Sequence, residues 1–99
     1  NSTPSPPLLV TCLEALQALA DRAPALMTKC RGNSGLTRGD RVTVTLGGSG
    51  ATNKVAAVIV SGSSSQDFDG CLVKELNRQR FPSVTGPQSC RNTFTIRMP

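Results

Sequence analysis

The stretch C-L-V-K-E-L-N-R-Q-R-F-P, Cys71–Pro82, decides how the chain is read. With Asp67 opening the run, Phe68, Cys71, Leu72 and Leu76 fall on one face at helical spacing. Asp67 and Asp69 sit in the first turn, where carboxylates complement the helix dipole, so capping and solubility account for them. Phe81-Pro82 closes the region, because proline donates no N–H and restricts the residue before it. On either side the period changes from 3.6 to 2. Arg41 to Leu46 alternates, with Val42, Val44 and Leu46 pointing one way and Thr43 and Thr45 the other, which predicts a half-buried strand. Lys54 to Val60 predicts a second, more apolar strand. Gly47–Asn53 lies between them as a flexible hairpin turn. Asn92 to Met98 alternates again, with Phe94, Ile96 and Met98 on one face.

Upstream, Thr11 and Glu14 form a T-x-x-E capping box ahead of Leu13, Leu16, Leu19 and Ala20. The spacing predicts a helix from Cys12 to about Arg22, an interruption at Ala23-Pro24, and a continuation from Pro24 to Cys30. Arg31–Asp40, Ser61–Gln66 and Ser83–Ser89 read as loops. The order is helix, strand, strand, helix, strand: an α+β fold with two helices packed on a three-stranded antiparallel sheet. Residues 1–10, which begin N-S-T-P-S-P-P and include the sequon Asn1-Ser2-Thr3, read as the end of a Ser/Pro-rich linker. Residues 11–99 form a single domain.

Composition narrows the function classes. The net charge is +5, from 11 Lys and Arg against 6 Asp and Glu, spread from Arg22 to Arg97. Trp and Tyr are absent and there are 3 Phe, so the aromatic stacking platforms of RNA-binding sheets are missing and no nucleic-acid partner is expected. No stretch approaches the length of an apolar membrane span. The chain has no His, which removes Ser-His-Asp and Cys-His nucleophile systems, histidine bases and histidine metal ligands. Ser63, Ser64 and Ser65 have no base beside them. The glycine-rich run after Leu46 is flanked by strand signals on both sides, whereas a phosphate loop runs from a strand into a helix. No catalytic, cofactor-binding or metal-binding residues are assigned, and the chain is not expected to be an enzyme.

Four cysteines, Cys12, Cys30, Cys71 and Cys90, are widely separated and form no C-x-x-C pair. In so short a chain with few aromatics they read as two disulfides offsetting a thin core, which places the protein in an oxidising compartment. Four cysteines allow three connectivities. Cys30 ends the first helical segment and Cys71 lies on the inner face of the second, which favours Cys30–Cys71 and leaves Cys12 to pair with Cys90.

The succession A-P-A-L-M-T-K-C, G-D-R-V-T-V-T-L-G-G-S-G-A-T-N-K-V-A-A-V-I-V-S-G, C-L-V-K-E-L-N-R-Q-R-F-P and T-F-T-I resembles the TonB C-terminal-domain-like modules, and within them the AgmX/PglI-type C-terminal subgroup of gliding myxobacteria. The resemblance covers about residues 23–98, and Cys30, Cys71, Phe81 and Pro82 stand at its anchor positions. Gln79, the additional Cys12 and Cys90, and the loop Arg31–Arg38 depart from it. It implies a non-enzymatic periplasmic module of the cell envelope, tethered by an N-terminal Pro-rich linker to an inner-membrane-anchored protein, in a setting of transport or gliding motility. It also implies that a protein partner docks an extended segment beside the last strand, here through Arg91, Asn92, Thr93, Thr95 and Arg97. An open edge of this kind suits strand addition, or pairing of two copies into a homodimer. The other expectation is a small secreted disulfide protein that binds a ligand or inhibits a target through the loop Arg31–Asp40.

Overall fold

A computed structural model describes residues 10–32 and 34–99. Apart from Val10, the expected linker lies outside the described residues. The elements follow in the order β1 (Val10–Thr11), α1 (Cys12–Arg31), β2 (Arg41–Ser49), β3 (Lys54–Ser61), α2 (Gln66–Asn77), β4 (Val84–Thr85) and β5 (Ser89–Arg97). Strands β3, β2 and β5, in that spatial order, form the antiparallel sheet of an α+β fold, and the two helices cover one face of it. Strands β1 and β4 add a short parallel pair, Val10 opposite Val84 and Thr11 opposite Thr85. A pair of two-residue strands is too short for any period to register. Ser83–Ser89 is therefore not all loop.

Helix α1 starts at the predicted box: the Thr11 hydroxyl accepts from the Glu14 amide at 3.2 Å and the Glu14 carboxylate accepts from the Thr11 amide at 3.0 Å. The expected interruption at Ala23-Pro24 does not occur; a single 20-residue helix runs through Pro24. Proline there removes one helical bond, but Leu16, Leu19, Ala20, Ala23 and Met27 form one buried stripe across it. Packing of that stripe outweighs local propensity. Helix α2 is capped by the Ser65 hydroxyl, which accepts from the Phe68 amide at 3.2 Å. It ends at Asn77, short of Arg80. Asp69 clasps the preceding loop, accepting from the Ser63 amide at 3.0 Å and hydroxyl at 2.8 Å.

The stretch Gly47–Ser49, expected in the turn, is strand. The turn proper is 50–53, closed by Asn53 with φ 57°. Gly48 faces the core, and a Cβ built there would overlap the Phe81 ring. The glycine therefore serves a close approach and not flexibility. Phe81 is locked in place by two reciprocal bonds. Its amide donates to the Asn53 carbonyl at 3.1 Å, and the Asn53 side chain donates to the Phe81 carbonyl at 2.9 Å.

The core joins Val42, Val44 and Leu46 of β2, Val55 and Ala57 of β3, Ile96 of β5 and Met98 to the inner faces of both helices. Two disulfides tie the layers, Cys12–Cys90 with Cα atoms 6.0 Å apart and Cys30–Cys71 with Cα atoms 5.7 Å apart. On a chain-entropy account, closing loops with separations of 78 and 41 residues contributes roughly 4 kcal/mol each. Between the helices, Lys29 Nζ donates to Glu75 Oε1 at 2.9 Å and Arg78 Nη1 to Glu75 Oε2 at 3.2 Å. The Lys29 hydrogen bond is the main influence holding the Glu75 carboxyl below its ordinary value.

Two predictions test this framework. Gly48→Ala should cost about 1–3 kcal/mol through overpacking, and Phe81→Ala about 3–5 kcal/mol. The double variant should cost less than their sum, because the alanine methyl enters space that the ring has left. Urea denaturation of the oxidised proteins reads this directly, and strict additivity would contradict the contact. Glu75 has a folded pKa below its unfolded one. Its stabilisation is therefore complete above the unfolded value, near 4.5, and is lost as pH falls through the lower folded value. Melting curves of wild type and Glu75→Gln should be separated at neutral pH and converge in acid.

Candidate partner-binding edge

Strand β5 bounds the sheet, with β2 on its inner side. Among the described residues no strand pairs with its outer side. The register sets Val42 opposite Ile96, Val44 opposite Phe94 and Gly48 opposite Cys90. The ladder closes through the Met98 amide to the Asp40 carbonyl and the Gly50 amide to the Gln88 carbonyl, both at 2.7 Å. In an antiparallel ladder, directly opposed residues alternate between bonded and non-bonded pairs. Cys90, Asn92, Phe94 and Ile96 therefore aim their backbone groups at β2, while Ser89, Arg91, Thr93, Thr95 and Arg97 aim theirs outward.

Arg91, Thr93, Thr95 and Arg97, four of the residues expected to meet a partner, thus form one outward row, and Ser89 extends it. The alternation that marked Phe94 and Ile96 as inward also contained Ser89, but the expected strand began at Asn92. Asn92, the fifth, differs: its backbone faces Leu46, and its side-chain oxygen accepts from the Thr93 amide at 2.8 Å. It covers one of the outward donors. The other sheet edge is blunted differently, since the outward Ala57 amide donates to Asn77 Oδ1 at 2.8 Å and α2 packs against β3.

Side chains of the outward row lie on the sheet face away from the helices. There Thr43 and Thr45 pair through their hydroxyls with Thr95 and Thr93, at 3.3 and 2.8 Å, and Val58 and Val60 are each 62% exposed. On the helix side of the edge, a groove of about 290 Å³ runs between α1 and β5, lined by Gln17, Ala20, Asp21, Pro24, Phe94 and Ile96 among others. Its α1 residues lie far from β5 in the chain, and nothing local in the sequence links them to it. Gln17 donates to Asp21 Oδ1 at 3.1 Å, so the carboxylate in this groove is partnered.

The loop considered as a second working surface is tied down. Leu36 is buried in the core, and Arg31 Nε donates to the Leu36 carbonyl at 3.0 Å. The Thr37 amide donates to Asp40 Oδ2 at 2.8 Å, and the Gly39 amide to the Met98 carbonyl at 2.9 Å. A hollow of about 550 Å³ between α1 and the segment Arg80–Ser83 contains Glu14, Arg22, Arg80 and Ser83. With no histidine in the chain, Ser83 has no imidazole base there.

No family model, curated protein or solved structure matches the chain. Among the described residues no helix is long and apolar enough to cross a membrane. The two disulfides are consistent with an extracytoplasmic protein.

Residue-resolved hydrogen exchange checks the edge. The Phe94 and Ile96 amides should be protected, those of Arg91, Thr95 and Arg97 should exchange much faster, and Asn92→Ala should accelerate Thr93 alone. Uniform protection along β5 in dilute monomer would refute the alternation.

Proposed function

We propose that the protein is a non-enzymatic, extracytoplasmic interaction domain that receives an extended segment of a partner protein beside β5. The observation that supports this is the outward row of backbone donors and acceptors from Ser89 to Arg97, open apart from the Thr93 amide, on a sheet whose other edge has its Ala57 amide taken by Asn77 of the packed helix. Strand addition satisfies such a row with main-chain bonds, and pockets for alternate side chains supply specificity. The α1–β5 groove lies on the side where every second partner residue would enter. Following the resemblance to the TonB C-terminal-domain-like modules of the AgmX/PglI subgroup, we assign this activity to the periplasm. There the domain, tethered through an N-terminal linker to an inner-membrane-anchored protein, reaches an envelope partner, with transport or gliding motility as the setting.

Selection of extended peptides from a random display library tests the reading. Binders should protect the Arg91, Thr93, Thr95 and Arg97 amides from exchange. Thr95→Pro removes an outward N–H that has no bond within the sheet. It should abolish binding at least tenfold while leaving the melting transition nearly intact, since proline is tolerated on sheet edges. Binders that protect Arg31–Asp40 instead would favour the secreted inhibitor, and binders indifferent to Thr95→Pro would overturn strand addition.

A further inference from the structure

We infer that the partner segment is acidic on one face only, with carboxylates about six residues apart that meet Arg91 and Arg97. The inference rests on strand addition at β5 and specifies the chemistry of what is added.

Charge on the sheet is one-sided. Strands β2, β3 and β5 contain Arg41, Lys54, Arg91 and Arg97 and no Asp or Glu. All four cations are exposed. The register sets Arg97 directly opposite Arg41, a like-charge cross-strand pair that is unfavourable in isolation. Each of the six Asp and Glu side chains is engaged elsewhere or lies off this face. Glu75 binds Lys29 and Arg78, Glu14 caps α1, and Asp69 clasps Ser63. Asp40 accepts from the Thr37 amide, Asp21 is in the groove with Gln17, and Asp67 is in the first turn of α2. The only ion pairs among the described residues are those of Glu75. Among the described residues the guanidiniums of the open face thus form no ion pair with an Asp or Glu.

A strand added to β5 places alternate side chains over this face, opposite Arg91, Thr93, Thr95 and Arg97 in turn. Arg91 and Arg97 stand roughly 20 Å apart along the strand. Two carboxylates separated by three such steps meet both cations, with small or β-branched residues between them opposite the threonines. The residues in between point to the groove, where Phe94, Ile96, Ala20 and Pro24 favour apolar side chains; Asp21 disfavours acidic ones along it, and Arg97 borders it only at the end where the proposed carboxylate already sits. The same charges oppose a second copy: antiparallel β5–β5 pairing centred on Phe94 would set Arg91 against Arg97 twice.

The test uses the capped peptide S-E-V-T-V-T-V-E-S and its versions with both Glu replaced by Gln or by Lys. Each is titrated at millimolar concentration into the oxidised wild-type domain and into an R91E/R97E variant, with amide exchange along β5 as the readout. The Glu peptide should bind wild type roughly three- to tenfold more tightly than the Gln peptide, from two facing charge pairs. That ratio should approach one in 1 M salt, where screening is short-ranged. On the variant the order should invert, with the Lys peptide binding most tightly. Equal binding of all three peptides, with β5 protected, would overturn the acidic specificity and leave strand addition standing. If none of the peptides protects β5 although the disulfides and circular dichroism are native, both fail together. A stable β5–β5 dimer of the unmodified protein in sedimentation would also overturn the charge argument.

Discussion

The missing side chain at residue 48 is the constraint on which the rest of the structure depends. The Phe81 ring occupies the space that a Cβ there would need, so the chain leaving α2 is drawn under β2 and not away from it. Gly48 is opposed by Val55 on one side and Cys90 on the other, and the Cys12 sulfur lies 3.8 Å from its carbonyl oxygen. Strands β2, β3 and β5, the start of α1 and the segment after α2 therefore converge on one backbone position. A glycine inside a strand is ordinarily a weakness; here burial of a phenylalanine offsets it. Gly50 repeats the arrangement one pleat along, where a Cβ would come within 2.7 Å of Val84 Cγ2. Strand β4 of the β1–β4 pair lies just beyond Phe81 in the chain, with Val84 opposite Val10.

This convergence also bears on how firmly the edge strand is held. The core has two fully buried aromatic rings, Phe68 and Phe81, and is otherwise aliphatic apart from its cysteines and methionines. A domain of this size gains little margin from such a core alone. The disulfides supply rigidity where it bears on β5. Cys90 fixes one end of the strand to α1, and at the other end the Gly39–Met98 and Asp40–Met98 backbone bonds fasten it to the loop before β2. An edge held at both ends loses little further freedom when a segment docks on it, and preorganisation of this kind favours affinity.

Much of the architecture was legible because its signals are local and periodic. The T-x-x-E box, the alternation of Val42, Val44 and Leu46 against Thr43 and Thr45, and the Phe68-Cys71-Leu72-Leu76 face each report an element within a few residues. The helix faces also narrowed the cysteine pairing to the connectivity that the structure contains. What escaped depends on residues distant in sequence. Pro24 looks like a break until the buried stripe running past it is seen. Gly47 and Gly48 look like a turn until Phe81 is found against them. Asn92 looks like a contact residue, but the ladder's phase turns its backbone inward, and only the folded geometry lays its side chain over the Thr93 amide. The α1 wall of the groove is tertiary by nature.

An exposed β edge must admit one partner while refusing copies of itself. On the proposed reading charge does both, because specificity is a difference between two free energies. Two arginines on an outward row set like charge against like when β5 meets another β5, and the Arg41–Arg97 pair already concentrates positive potential at that end. Asn92 adds a second safeguard by covering one outward donor with a local acceptor. An incoming segment must displace that short contact, which costs little if its own carbonyl replaces the amide oxygen. A neutral, flat strand gains only main-chain bonds, and another β5 gains them against repulsion. A strand with carboxylates in phase with Arg91 and Arg97 gains the bonds and the counter-charge that the fold itself withholds. On the proposed reading, the two arginines that oppose β5–β5 pairing are thus the same ones that favour an acidic partner strand.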